Sequence, residues 1–298
     1  TKEVLHDIYG LPFIFFERPE WDKFPGAERT FAADVLNPDG KVVQQPSTHL
    51  LKQSFAKAFN VKYKDKEEKD QFVWITCYGP AISRIFASVI IVHGDDKGLR
   101  FPWKIAPLEI IITVIKPNEE LIKEAEKLKE KLEAEDFSVE IDTTDRTFGE
   151  KCYFWELKGV PIRIELGEKE LNEKNLGVFR RDLSKREKIN EKDIVKAIKN
   201  ISQEFDKNII EQADKLFDNA IVSAKDKKSL KAGIESGKIV KCEFCSVTNE
   251  GKSCAEWVEK EAQASVRGTK LDETEKAKGN CIICEKKSSV IVYIARSY

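Results

Sequence analysis

The chain has 298 residues, 51 Lys and Arg against 52 Asp and Glu, a formal net charge of −1, seven cysteines and no methionine. That length holds two or three domains, and the balanced charge argues against a protein that coats nucleic acid non-specifically while leaving room for a local basic face. No apolar run approaches the roughly 18 residues of a membrane-spanning helix, and no signal-peptide pattern opens the chain, so neither a membrane nor a secretory route is expected. The start at Thr1, without an initiator, suggests a fragment.

The first block, 1–104, is rich in aromatics. Lys2 to Tyr9 reads as the end of a helix, and Leu11 to Phe16, after Gly10, as a short strand. Glu17 to Ala27 (ERPEWDKFPGA) is a polar loop with embedded aromatics. Thr30 to Leu36 reads as a strand, Asn37-Pro-Asp-Gly40 as a turn, and Lys41 to His49 as a strand followed by a loop that carries Gln44, Ser47, Thr48 and His49. Strands separated by such turns predict an antiparallel sheet. From Ile85 to Val92 every residue except Ser88 is apolar, which fits a core helix or a buried strand. Arg84 stands at its mouth, next to Tyr78-Gly79-Pro80, where its planar fork can clamp phosphate. The plainer reading is a surface arginine at the end of an element. Gly94-Asp95-Asp96 suits an exit turn better than a metal site.

The second block, 105–205, alternates strands and helices and predicts a mixed or parallel sheet covered by helices. Leu108 to Ile115 is a buried strand. Asn118 to Asp136 is an amphipathic helix with Leu121, Ala125, Leu128 and Leu132 on one face. Phe137 to Ile141 is a strand, Asp142 to Gly149 a polar loop, and Glu150 to Lys158 a helix. Ile162 to Leu166 alternates with Arg163 and Glu165 as a half-buried strand. Leu176 to Arg181 is another strand, and Glu191 to about Phe217 a helix.

The third block, 206–298, opens on a Lys- and Ser-rich linker from Ser223 to Lys231 and ends on a strong strand from Ser289 to Ala295. It holds five of the seven cysteines: Cys242, Cys245 and Cys254, then Cys281 and Cys284. With no sign of secretion a disulfide framework is not expected, and four thiolates at these spacings suit tetrahedral zinc with Zn–S near ~2.3 Å. The first pair is either Cys242 with Cys245 or Cys245 with Cys254.

Several of these segments, in this order, resemble the archaeal and eukaryotic-type prolyl-tRNA synthetases of class II. Glu17 to Ala27 resembles a loop of that family almost letter for letter. Gln44-Gln-Pro-Ser-Thr-His49 with Gln53-Ser-Phe-Ala56 is similar to its Q-x-x-T-x-H…Q-x-F segment. Thr76 to Pro107 resembles motif 3. Lys158 to Gly167 with Phe179-Arg-Arg-Asp182 resembles the anticodon-binding domain shared by several class II synthetases, and Cys254 to Val266, the final C-x2-C and the terminal Tyr298 resemble the family's zinc domain.

The resemblance implies an α/β and α+β multidomain chain. Part of an antiparallel class II catalytic core lies in 1–104, an α/β anticodon-binding domain in 105–205, and a small zinc-containing α+β domain in 206–298. It implies ATP-dependent activation of L-proline and transfer to tRNA(Pro), with Arg84 as the catalytic arginine on ATP phosphate. Gln44, Ser47 and Ser83 join it as ATP contacts; Ser47 keeps the hydroxyl of the family's threonine. His49 falls at the proline site. Arg146, Glu150 and Lys151 fall at the anticodon, with Arg180 for backbone phosphate. Cys245, Cys254, Cys281 and Cys284 become the ligands of a structural zinc, Mg is expected to accompany ATP, and a cytoplasmic homodimer is expected of the full-length enzyme. The family's motifs 1 and 2 precede the Glu17 loop and are absent from these residues, so this segment alone is expected to be inactive. The competing expectation is a non-catalytic tRNA-binding and zinc module with a vestigial synthetase core.

Overall fold

A computed structural model describes residues 1–298. A short π-helix, Glu3–Ile8, opens the chain. The strands in chain order are β1 (Ile14–Glu17), β2 (Arg29–Leu36), β3 (Lys41–Lys52), β4 (Lys62–Lys64), β5 (Asp70–Phe72), β6 (Ile75–Gly79), β7 (Ile110–Val114), β8 (Val139–Asp142), β9 (Ile162–Leu166), β10 (Asn175–Arg180), β11 (Lys185–Asn190), β12 (Ile221–Ala224), β13 (Ile239–Phe244), β14 (Ser265–Lys270) and β15 (Val290–Ser297). The α-helices are α1 (Ser54–Ala58), α2 (Ile82–His93), α3 (Glu119–Glu133), α4 (Phe148–Lys158), α5 (Glu168–Glu173), α6 (Ile194–Asp218), α7 (Lys227–Glu235) and α8 (Lys252–Ala262). They form two compact units. The first joins Pro12–Ser88 to Lys215–Tyr298, and the second joins Lys2–Leu11 to Val89–Asp214.

The first unit is built on an eight-stranded sheet of order β12-β13-β15-β14-β1-β2-β3-β6. Its strands come from both ends of the sequence: Phe16 of β1 pairs antiparallel with Lys270 of β14, and the end of β15 also lies parallel to β3, Arg296 beside Lys41. The two ends therefore share one sheet and bury one another's edges, which open sheets otherwise leave as sites of unwanted pairing. Two turns meet where Gly40 and Gly237 touch: a Cβ on Gly40 would lie 2.4 Å from the Gly237 Cα, so Gly40 has no room for a side chain there. Gly268 makes the bulge of β14, with φ +129° and no room for a Cβ against the Glu17 carbonyl.

The second unit holds a five-stranded sheet of order β11-β10-β9-β7-β8. β7 is parallel to β8 and β9, while β10 is antiparallel to β9 and β11. The amphipathic helix expected after Asn118 is α3. Its Leu121, Ala125, Leu128 and Leu132 are the buried residues, and the Asn118 side chain caps it by accepting from Leu121 N at 2.8 Å. These side chains pack with Ile110, Ile112, Ile162 and Ile164 of the sheet and with Ile198 and Phe205 of α6.

Four expectations need correction. β3 runs on to Lys52, so Gln44, Ser47 and His49 sit on a strand and not in a loop. β9 is buried on both faces: Arg163 and Glu165 alternate as surface residues would, but Arg163 donates to Glu156 at 3.0 Å and Arg186 pairs with Glu165 at 2.5 Å. Ser223 to Lys231 is no linker. β12 passes into α7, capped by Asp226 accepting from Ser229 N at 2.7 Å and anchored by buried Leu230 and Ile234. Finally, Ile85–Val92 lies within α2, but Phe86 and Ile91 of that run are exposed, as is Ile82 before it.

Candidate functional site

β3 is the centre of the first unit's candidate site. Register pairs His49 with Thr30 of β2 on one side and Cys77 of β6 on the other, and pairs Ser47 with Gly79. The His49 ring lies between two hydroxyls, Nδ1 at 3.1 Å from Thr30 Oγ1 and Nε2 at 3.2 Å from Ser47 Oγ. Phe24 of the 17–27 loop covers it, ring centroids 4.7 Å apart, and the Phe24 backbone N–H donates to Thr30 Oγ1 at 2.9 Å. Burial lowers the His49 pKa from its ordinary value, so the ring is neutral at neutral pH and offers one N–H donor and one acceptor. Gln44 accepts at Oε1 from Arg18 Nη2 at 3.0 Å. One residue on, Gln45 donates to Ser88 Oγ at 2.8 Å and ties β3 to α2. Ser83 and Arg84 lie in the exposed first turn of α2, after Ala81 in a left-handed conformation (φ +55°). A strand of polar contacts thus ends beside a helix whose first turn presents a free guanidinium, a combination suited to an anionic nucleotide.

The residues expected at the anticodon divide into two kinds. Arg146 is exposed and its guanidinium lies 4.4 Å from the Phe154 ring centroid, a stacked cation that a base could extend. Glu150 is exposed too, but its carboxylate accepts from Thr147 N at 2.8 Å and completes the capping box of α4. Lys151 and Arg180 are corrected. Lys151 is 1% exposed and donates to the Val114 carbonyl at 2.9 Å and the Asp142 carbonyl at 3.3 Å, satisfying the ends of β7 and β8. Arg180 is 6% exposed and engaged with Asp182 at 2.9 Å and Glu204 at 3.2 Å. In these positions both side chains are buried and engaged with partners inside the protein. Tyr153, exposed on α4, carries no separate signal in the sequence because it stands in a run with Phe154 and Trp155 and only the fold shows which of the three faces outward.

The sulfur atoms of Cys245, Cys254, Cys281 and Cys284 all lie within 4.8 Å of one another. Cys245 follows β13, Cys254 sits in the first turn of α8, and Cys281 and Cys284 lie on the turn before β15. Cys242 is outside the group. It points into the core from the middle of β13, where burial pushes its thiol up to about 12. Of the two pairings open in the sequence, the geometry brings together Cys245 with Cys254, 3.6 Å apart. Burial also pushes Cys245 up to about 11 and Cys254 higher still, so these two free thiols would keep their protons, whereas at Cys284 desolvation is outweighed by hydrogen bonds from the Lys286 backbone and the neighbouring thiols, which lower the pKa. A divalent cation reverses that preference, and the soft donor set fits zinc. Such a site could hold a metal with no position left for a substrate.

Two further clusters are assembled from distant segments, so no spacing in the sequence announces them as groups. Arg18 of the 17–27 loop, Asp34 of β2 and Arg267 of β14 form a buried triad. In the second unit, Arg181 closes both nitrogens on Asp95, at 2.6 and 2.5 Å, and holds that carboxyl down at about 2. The Gly94-Asp95-Asp96 turn is therefore an anchoring point.

Comparison with known proteins follows the same division. Residues 109–201 match the profile described as "Anticodon binding domain", and residues 228–298 match "Prolyl-tRNA synthetase, C-terminal". Along its whole length the chain is 39% identical to the proline–tRNA ligase of Thermofilum pendens and 38% identical to that of Methanobrevibacter smithii, covering 62% and 63% of those proteins. Among solved structures, it covers 64% of the Giardia lamblia prolyl-tRNA synthetase in complex with prolyl-adenylate at a TM-score of 0.93 and 27% identity. The Cryptosporidium parvum enzyme complexed with L-proline and AMP gives 0.91 at 26%, again with 64% of that chain covered. The chain thus spans just under two thirds of the relatives it matches.

Proposed function

Because the chain belongs to the prolyl-tRNA synthetase family, we propose that it supplies part of the site that joins L-proline to tRNA(Pro) at the expense of ATP. The segments 1–104, 105–205 and 206–298 would serve as the motif 3 part of the catalytic core, the anticodon-binding domain and the zinc domain. The observation that carries the reading is His49 clamped between the Thr30 and Ser47 hydroxyls on the strand that also bears Gln44.

In this reading Gln44, Ser47, Ser83 and Arg84 hold ATP, and the neutral His49 orients the small zwitterion of proline under the lid of Phe24. The proline carboxylate attacks the α-phosphorus in line and pyrophosphate leaves. Arg84 stabilises the charge that builds on the phosphate oxygens, with Mg²⁺ expected as the companion of ATP. The 3′-terminal hydroxyl of tRNA then displaces AMP from the carbonyl. Exposed anticodon bases are read by stacking and by hydrogen bonds to their edges, for which Arg146 over Phe154, with Glu150 nearby, is the best-placed pair. Lys151 and Arg180 would act there only by shaping the surface. The four thiolates are given a structural zinc, since a closed four-ligand shell leaves no open position.

Proline-dependent exchange of pyrophosphate into ATP, measured on the full-length natural protein, tests the proposal. Exchange that requires proline is expected. A folded protein that binds tRNA but gives no exchange would overturn it in favour of a tRNA-binding module.

A further inference from the structure

Arg18 follows β1, and its side chain is only 1% exposed. Its fork closes on Asp34 of β2, Nη2 donating to Oδ1 at 2.6 Å and Nη1 to Oδ2 at 3.0 Å. Nη1 also donates to the Arg267 carbonyl at 2.7 Å. Arg267 of β14 approaches the same carboxylate, Nε to Oδ2 at 2.7 Å, and is itself steadied by Ser265 Oγ at 3.1 Å. Burial opposes ionisation of Asp34, but the two guanidiniums outweigh it and keep the carboxyl below its usual range. Nη2 also donates to Gln44 Oε1 at 3.0 Å, and Gln44 is the register partner of Asp34 across β2 and β3, while Nε has no hydrogen-bond partner.

A guanidinium has five donors and no acceptor. The Gln44 atom facing Arg18 is therefore the amide oxygen, a choice that does not depend on how a side-chain amide is oriented by convention. The NH2 group is left turned away from Arg18. We infer that Arg18, aligned by Asp34 and Arg267, is a positioning residue for the nucleotide site and commits Gln44 to act as a hydrogen-bond donor, so that Gln44 reads an acceptor on ATP: a ring nitrogen, a ribose oxygen or a phosphate oxygen. The inference rests on the proposed assignment of Gln44 to ATP. It also makes β14, from the third sequence block, a contributor to nucleotide binding without touching the nucleotide.

The test uses the full-length natural protein and reads ATP affinity by calorimetry, alongside KM for ATP and for proline in pyrophosphate exchange. Gln44→Glu and Arg267→Gln are each expected to weaken ATP about 10-fold or more while the proline KM moves less than about twofold. Arg267→Lys should recover part of the loss. The double variant Arg267→Gln/Gln44→Ala should bind ATP no worse than Gln44→Ala alone, as residues acting through one another do. Additive losses would overturn the inference. If Arg267→Gln does not fold, Gln44→Glu against Gln44→Ala decides: a donor role makes Glu no better than Ala, whereas a Glu variant that binds ATP like the natural protein sinks the idea. A natural protein that binds ATP yet gives no proline-dependent exchange removes the proposed activity and leaves the positioning role to be judged on ATP affinity. One that binds no ATP overturns both.

Discussion

His49 is held by two hydroxyls and an aromatic ring, so its removal should cost substrate orientation without unfolding the sheet. His49→Ala is expected to raise the proline KM about 10-fold or more and the ATP KM by less than about threefold; a uniform loss in kcat alone would argue against a proline contact. His93 provides a different test. It is 4% exposed, and burial, aided by Arg100, lowers its pKa to about 4 against the opposing effect of its Nε2 donation to the Tyr9 carbonyl at 2.8 Å. The unfolded chain takes up this proton near pH ~6.5 and the folded chain only near pH 4, so between those values the unfolded state binds more protons. Stability is full above the upper value and falls as pH drops through the window, by up to about 3 kcal/mol. Denaturant titrations at pH 7 and 4.5 should show that loss in the natural protein and much less of it in His93→Gln. Asp95→Ala leaves the fully buried Arg181 without its carboxylate, and a loss of about 2–3 kcal/mol is expected in the same measurement.

At the scale of elements, the four-cysteine group brings together the end of β13, α8 and the turn before β15. Purified protein is expected to carry about one zinc per chain by elemental analysis. Chelation should lower the thermal midpoint and expose the 245–289 segment to protease, because a structural zinc can supply on the order of 10 kcal/mol to a small fold. Cys242→Ser should keep the metal and Cys254→Ser should lose it; the reverse result would reassign the ligands. Elements with a strong period were legible in the sequence. α3 showed its four buried residues by spacing alone, and β7 was visible as an apolar run broken only by Thr113, because local burial imprints a local pattern. β11 (KREKIN) and β12 were missed. A charged edge strand and a Lys- and Ser-rich stretch carry no such imprint, and their pairing with β10 and β13 decides their state. Gln44, Ser47 and His49 were readable as a motif but placed partly in a loop. What neither motif nor period could reveal was the inward turn of Lys151 and Arg180, since direction along α4 and β10 depends on which carbonyls and carboxylates lie beneath them.

At the scale of the whole molecule, the first unit's sheet is closed by the last strand of the chain: β15 lies between β13 and β14 and touches β3. Deleting residues 290–298 should therefore disrupt the first unit as a whole instead of trimming its edge. Limited proteolysis is expected to cleave within 12–88 as readily as within 215–289, and protection of 12–88 in the deleted protein would contradict the shared sheet. The second unit's sheet uses no residue beyond Asn190 and should persist, by its own hydrogen-exchange protection.

The pairing of Phe16 with Lys270 also sets a clock. A ribosome adding ~5–20 residues per second needs about 13–50 s to make the intervening stretch, and during that time β1 waits without its second neighbour. The 109–201 region can meanwhile close its own strands as soon as they emerge. Synthesis therefore passes through a state in which the 109–201 region is folded and β1 is still an open β edge. That interval is when a nascent-chain chaperone has most to protect, and slowing translation over the final segment lengthens it without changing any native contact.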